Sequence, residues 1–306
     1  MPKFDITLLT SSEYLSAETG DEFTETILEE DRILTAALKN LGLTVTRTNW
    51  DNPDFNWAET GYVIFRTPWD YFSRYSEFAP WLEKTTALTK FINPVDIIKW
   101  NIDKHYMLEL QNAGINIPAT IFIEPGDKRT LAEITKELNW DEFILKPAIS
   151  GGAWHTYRIS RKELAEHESI FKKLIKERSM LVQEYQNSIS EKGEVSYMVF
   201  GGRFTHAILK KGKGADFRVQ ESFGGTIHDY SPSPEEINFA QMVVNKSRPG
   251  IVYARVDVMR DNNNELTLGE LEVFEPALWL RKHQPAADLF AEIVFGIITK
   301  TRESAK

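Results

Sequence analysis

The apolar positions of the chain change period several times, and each change marks an element. Residues 4–10 (FDITLLT) form a β-prone run. Across 24–40, Ile27, Leu28, Leu34 and Leu38, followed by Leu41, recur at helical spacing and stop at Gly42. Leu43 to Thr46 and Tyr62 to Phe65 read as strands, Leu82 to Lys90 as part of a helix, and Phe91 to Pro94 as a short strand. Strand–helix–strand order predicts a parallel α/β layer over roughly residues 1–95. A helix with Asp103 as N-cap and Lys104 in its first turn ends at Gly114. Then come strand 117–123, helix 130–138, strand 143–147, a charged helix over 161–176 and strand 180–185. Runs 195–200 and 203–211 flank Gly201-Gly202, a hairpin signal. Ser233, Pro234 and two glutamates open a helix reaching about Lys246. A second hairpin follows, Val256 to Arg260 and Leu266 to Pro276 around an Asp-Asn cluster, and an amphipathic helix near 289–299 closes the chain.

That second hairpin holds the first candidate chemistry. A period of two puts Glu270 and Glu272 on one face, and the Asn-rich turn sets Asp257 opposite Gly269 or Glu270. Three carboxylates on a face otherwise suited to burial repel one another and call for positive charge. An oxygen-only trio suits Mg²⁺ better than Zn²⁺. The alternative is a solvated face with scattered acids.

Composition narrows the field. With 306 residues, 42% hydrophobic, the chain suits two or three compact modules. A net charge of -9 provides no basic field for nucleic acid. The absence of Cys excludes disulfides, thiolate nucleophiles and Cys-held metals. Residues 1–5 carry no signal-peptide core, and 289–299 is too short to cross a bilayer and contains Glu292. A cytoplasmic protein without a membrane partner is expected.

Three further stretches carry candidates. Arg66 to Tyr71 follows the third strand, where open α/β sheets bind ligands. Arg66 could hold a carboxylate there, with Trp69 and Tyr71 walling a pocket; or the loop is surface, its aromatics packing on the next module and its Arg pairing with Asp70. Lys146 ends an apolar strand ahead of Ser150-Gly151-Gly152, either a backbone cradle for phosphate or a plain flexible turn. Lys210, Lys211, Lys213 and Arg218 form a basic patch or ordinary loop charge. His105, His155, His206 and His228 lack ligand spacing and read as packing or loop residues.

In order and separation, Lys104, Lys146-Pro147 with Ser150-Gly151-Gly152, Gln183-Glu184-Tyr185, Glu194, the basic loop and Asp257/Glu270/Glu272 resemble the ATP-grasp superfamily. Its glutathione-synthetase-like branch is the nearest in pattern. The stretches 66–71, 202–210 and 253–257 look like the O-ureido-serine cyclo-ligase (cycloserine-forming) subgroup. The resemblance implies an α/β fold, α+β in parts: an N-terminal parallel α/β substrate domain (1–95), a linking helix region (96–116), a central lid subdomain (117–186) and a C-terminal antiparallel sheet domain with the metal site (187–306). It implies ATP and two Mg²⁺ ions, with Mn²⁺ able to substitute. Lys104, Lys146, Ser150, Gly151 and Gly152 would meet phosphates. Gln183, Glu184 and Tyr185 would meet adenine, and Glu194, or less readily Glu191, the ribose. Lys210 and Arg218 would offset charge on the transferred phosphoryl group, Asp257, Glu270 and Glu272 would hold the metal, and Arg66, Trp69, Tyr71 and Arg281 would face the substrate. The implied activity is a carboxylate–amine ligase forming ADP and phosphate on a small amino-acid-like acceptor, with a homodimer as the family's habit. A small-molecule kinase and a non-catalytic ATP-binding module are the alternatives.

Overall fold

A computed structural model of the protein describes residues 2–18, 21–214 and 216–304. Four parallel strands, β1 (Phe4–Thr10), β2 (Val45–Asn49), β3 (Thr60–Thr67) and β4 (Lys90–Ile92), form a sheet in the order β2-β1-β3-β4. Helix α1 (Glu22–Asn40) joins β1 to β2, and α2 (Tyr75–Thr86) joins β3 to β4. The second of these begins well before residue 82, with Pro80 inside it. Pro80 lies past the first turn, so the Ser76 carbonyl receives no i→i−4 bond from residue 80.

Helices α3 (Val95–Ile102) and α4 (Tyr106–Asn112) lead to an antiparallel sheet of β5 (Thr120–Ile123), β6 (Glu142–Pro147), β7 (Tyr157–Ser160) and β8 (Met180–Glu184), ordered β5-β8-β6-β7. Leu131 and Ile134 of α5 (Leu131–Thr135) and Phe171 and Leu174 of α6 (Leu164–Leu174) close its core. A short helix, α7 (Ser188–Lys192), then leads into a second antiparallel sheet. Its strands are β9 (Glu194–Phe200), β10 (Arg203–Lys211), β11 (Thr226–Tyr230), β12 (Tyr253–Arg260) and β13 (Leu266–Glu272), in the order β11-β10-β9-β12-β13. Strand β11 has no apolar alternation and is a strand only because β10 offers it an edge. Helix α8 (Pro234–Lys246) has the expected capping box of Ser233 and Glu236. The parallel layer, the antiparallel sheets and their order agree with the expected α/β architecture.

The terminal helix α9 (Gln284–Ser304) packs between the first and last sheets. Phe290 stacks on Phe200 at 5.1 Å and lies against Tyr253. Burying one such ring contributes about 1.5–3 kcal/mol. Beside it His206 is buried, its Nε2 donating to the Leu278 carbonyl at 2.9 Å. Burial pulls the His206 pKa down to about 4. At this side chain the unfolded state therefore binds more protons than the folded state between pH 6.5 and 4. The contribution of His206 to stability is full above 6.5 and falls as pH drops towards 4, by up to about 3 kcal/mol. Buried carboxyls whose pKa values are raised act in the opposite direction, so the loss is read as the difference between wild type and His206→Gln in thermal unfolding across that range.

The free edge of β13 is covered by side chains and by the backbone of Asn116. Leu268 N–H donates to the Asn116 carbonyl, Leu271 N–H to the Tyr106 hydroxyl, and Val273 N–H to Asn101 Oδ1 at 2.8 Å. Asn101 Nδ2 returns a bond to the Leu271 carbonyl, and Asn93 Nδ2 reaches the Tyr253 and Val273 carbonyls. An uncovered edge would slip or aggregate; here Glu270 and Glu272 are held in one register.

Candidate active site

A cleft of about 390 Å³ lies between the two antiparallel sheets. Asp257 stands opposite Glu270, but Val258 stands opposite Leu268. Gly269 is thus the extra residue of a β-bulge, and the bulge turns Glu270 towards Asp257. One oxygen from each of Asp257, Glu270 and Glu272 lies within 4.8 Å of the others. Hard oxygen donors at this spacing fit Mg²⁺.

Three cations balance the acids. Arg255 Nη2 donates to Asp257 Oδ2 at 2.8 Å and also to Glu272. Lys210 pairs with Asp257 at 3.2 Å and with Glu194. Lys104 pairs with Glu270 at 3.1 Å. Burial opposes the Asp257 charge, but Arg255 and Lys210 outweigh it and hold the carboxyl at about 2. Burial likewise opposes ionisation of Glu270, and Lys104 and Lys146 bring its pKa below the usual value. At Glu272 and Glu194 burial wins, and both are raised.

Lys104 lies in the hydrogen-bonded turn that leads into α4, where Asp103 Oδ1 accepts from the His105 N–H as a cap. Its own N–H is bonded to the Ala148 carbonyl, and its Nζ donates to the Ser150 carbonyl at 2.5 Å. That contact ties the turn to the Ser-Gly-Gly loop. Lys146 lines the same cleft and has no ion pair among the described residues; burial lowers its pKa, and Glu270 offsets this in part. Gly151 and Gly152 run along the rim, and a Cβ on Gly151 would meet the Phe72 ring at 3.0 Å. Gly193 has φ +85°, and a Cβ there would come within 2.2 Å of the Lys210 carbonyl. Only glycine lets the start of β9 lie this close to the end of β10, which puts Lys210 beside Glu194.

At the opposite end Gln183, Glu184 and Tyr185 line the cleft with Phe217 and Met259. The N–H groups of Glu184 and Tyr185 are spent on the Ala119 and Glu142 carbonyls, so these two backbone donors are already satisfied. Gln183 Nε2 donates to Thr120. Arg218 lines the cleft as well, its guanidinium on Asp216 and its face over Phe223 at 4.2 Å.

Of the four substrate-facing candidates, three lie outside the lining of the cleft. Arg66 is 2% exposed and lies outside the cleft, its Nε donating to Asp31 at 3.0 Å. Asp31 also accepts from Arg47, so the pair is a buried tie between β3 and α1. Tyr71 is buried in an aromatic cluster, edge-on to Phe274 at 4.8 Å. Arg281 is divided between Glu30 and Glu221 and does not line the cleft. Trp69 does line it, beside Tyr14 and Phe23, with its Nε1 bonded to the Glu275 carbonyl. Sequence reasoning missed Arg255, Glu275 and Trp279. Arg255 was findable, two residues before Asp257 on the same strand face. Glu275 was not: β13 ends at Glu272, and no strand parity extends to it.

The RimK-like ATP-grasp domain family matches residues 102–274, more than half of the chain. The chain belongs to the RimK-like ATP-grasp family. Ahead of that domain, residues 6–93 match the N-terminal domain of D-cycloserine synthetase DcsG. The cycloserine biosynthesis protein DcsG of Streptomyces lavendulae is 26% identical over 278 residues, 85% of this chain and 90% of that protein. The crystal structure of D-cycloserine synthetase DcsG aligns with a TM-score of 0.82 at 23% identity, over 96% of this chain and 99% of that one. D-alanine–D-alanine ligase from Bacillus anthracis, complexed with ATP, aligns at 0.65 with 15% identity, over 99% and 100%. The ATP-grasp frame thus accounts for the cleft between two antiparallel sheets. Among the described residues no helix is long and apolar enough to cross a membrane.

Proposed function

We propose that the protein is an ATP-dependent carboxylate–amine ligase that acts on a small amino-acid-like acceptor through an acylphosphate and forms ADP and phosphate. The carrying observation is the pairing, in one cleft, of an acidic trio with Lys104, Lys146 and Lys210, of which Lys146 has no ion pair of its own among the described residues. A half-buried ammonium without a partner acid is suited to a phosphate.

In this reading Lys104 and Lys146 hold ATP phosphates, the loop 150–152 covers them, and the base lies towards Gln183–Tyr185 with its ribose at Glu194. Asp257, Glu270 and Glu272 hold Mg²⁺, two ions by family likeness and exchangeable for Mn²⁺, which neutralises phosphate charge when bound. An acceptor carboxylate oxygen attacks the γ-phosphorus and the bond to ADP breaks. Arg255 and Lys210 stand where they can offset charge on the transferred group, with Arg218 further out. An amine then attacks the acyl carbon, phosphate leaves with the C–O electron pair, and the amine loses a proton. No protein nucleophile is needed. Positioning supplies the catalysis, with residues 1–95 as substrate domain, 117–186 as lid and 187–306 as the metal-bearing module. The likeness to DcsG favours an acceptor such as O-ureidoserine and an intramolecular ring closure. Family likeness also supports a cytoplasmic homodimer.

The test is incubation with ATP, Mg²⁺ and a panel of amino acids, short peptides and O-ureidoserine. Acceptor-dependent ADP release is expected, with a product lacking phosphate by mass. AMP and pyrophosphate would overturn the reading, and a stable phosphorylated product without an amine requirement would make the protein a kinase.

A further inference from the structure

Seven acids line the cleft, and five of them are ion-paired: Glu194 and Asp257 to Lys210, Glu270 to Lys104, Glu272 to Arg255 and Glu221 to Arg281. Glu184 is half-buried at the end assigned to the base. Glu275 is different. It is 7% exposed, faces the cleft and has no ion pair among the described residues. Its backbone is fixed by the Trp69 indole, and its side chain lies near that of Tyr71. Lys104 and Arg255 are near enough to favour its charge, but each is bonded to another acid.

A carboxylate removed from water and left without a cation is costly unless a ligand brings one. Burial raises the Glu275 pKa to about 7, as expected of such a site. The neighbours decide which cation. Glu275 Oε1 is 3.9 Å from the Cβ position of Gly151, which itself abuts Phe72, and Trp69 and Tyr71 lie close by. One carboxylate among aromatic rings lacks the several oxygens a divalent ion needs, whereas ring faces and a single acid suit an organic ammonium.

We propose that Glu275 is the binding site for the α-ammonium of the acceptor, and that the enzyme therefore takes α-amino acids with a free amino group. This rests on the ligase reading above. An α-ammonium lies two bonds from its carboxylate carbon. Anchored beside Gly151, it brings that carboxylate to the phosphate end, next to Glu270 and Lys104. A β- or γ-amino acid held at the same point would misplace its carboxyl group. The site thus replaces the anchoring role that the buried Arg66 cannot fill, and it recognises the opposite charge of the acceptor.

The test is calorimetric binding to the full chain, in the presence of Mg²⁺ and a non-hydrolysable ATP analogue. The probes are O-ureidoserine and its des-amino counterpart, 3-(ureidooxy)propanoate. The wild type should prefer the amino acid by roughly 30-fold or more. Glu275→Gln should bring the two within a few-fold of each other while binding the ATP analogue as before, and Glu275→Asp should keep part of the preference. If O-ureidoserine does not bind, whichever panel amino acid does takes its place, paired with its own des-amino acid. An unchanged preference in Glu275→Gln, or no binding of any amino acid, overturns the proposal. A preference that depends on Glu275 without any ADP release would instead overturn the ligase reading and leave the ammonium site standing.

Discussion

Glu270→Gln is expected to lower kcat by roughly a hundred- to a thousandfold while leaving the fold intact. Glu270 is the middle acid of the trio and the partner of Lys104 at 3.1 Å. Gln keeps its shape and one acceptor oxygen but removes the charge that would bind a cation. The same change relieves its repulsion with Asp257, which works against the attraction lost at Lys104 and Lys146. Thermal stability should therefore move by little, about 1 kcal/mol or less, as for most substitutions that leave no cavity. Steady-state ADP release measured against Mg²⁺ concentration, alongside thermal unfolding, reads both effects. A variant that turns over normally would remove the metal role from the trio and favour the non-catalytic ATP-binding alternative.

Arg66→Ala is expected to act on stability instead of on the acceptor. The guanidinium is buried, and its Nε bonds to Asp31, which is itself 2% exposed. Removing it leaves a cavity between β3 and α1, with Asp31 held by Arg47 alone. Breaking one side of a buried pair costs about 3 kcal/mol or more, several degrees of melting temperature for a chain of this size. Part of the cost is already present in the wild type, because Arg66 Nη1 has no partner. Among molecules that remain folded, KM for the acceptor should be unchanged. A raised KM without loss of stability would return Arg66 to the substrate site and undo the geometric correction.

The two variants separate what was legible in the sequence from what was not. The acidic trio was legible because strand parity is a local property: Glu270 and Glu272 share a face whatever surrounds them. The Asn-rich turn adds Asp257 to them, although only the bulge at Gly269 chooses Glu270 as its partner. The Lys146 strand, the Gly-Gly loop and the β9–β10 hairpin were likewise readable, since period and turn chemistry act over a few residues.

Other features depended on packing. Strand β11 and helix α7 carry no period of their own and exist because neighbouring elements offer them an edge or a junction. Lys104 keeps its turn beside the Asp103 cap, but its ammonium is aimed by the Ser150 carbonyl, 46 residues away. Arg66, Tyr71 and Arg281 were placed at the acceptor because they are polar or aromatic residues beside a strand end or a strand-end motif. Each met a partner distant in sequence: Asp31, Phe274 and Glu30 respectively. Local sequence cannot reveal those partners, because the energy that decides them is the cost of desolvating a charge or ring in a place that only the folded chain creates. The sequence by itself determined the ATP-grasp frame, the metal-type trio and the lysines around it. Only the tertiary structure decided which side chains can meet a substrate: Arg66 is spent on Asp31, whereas Glu275 faces the cleft with no ion pair among the described residues.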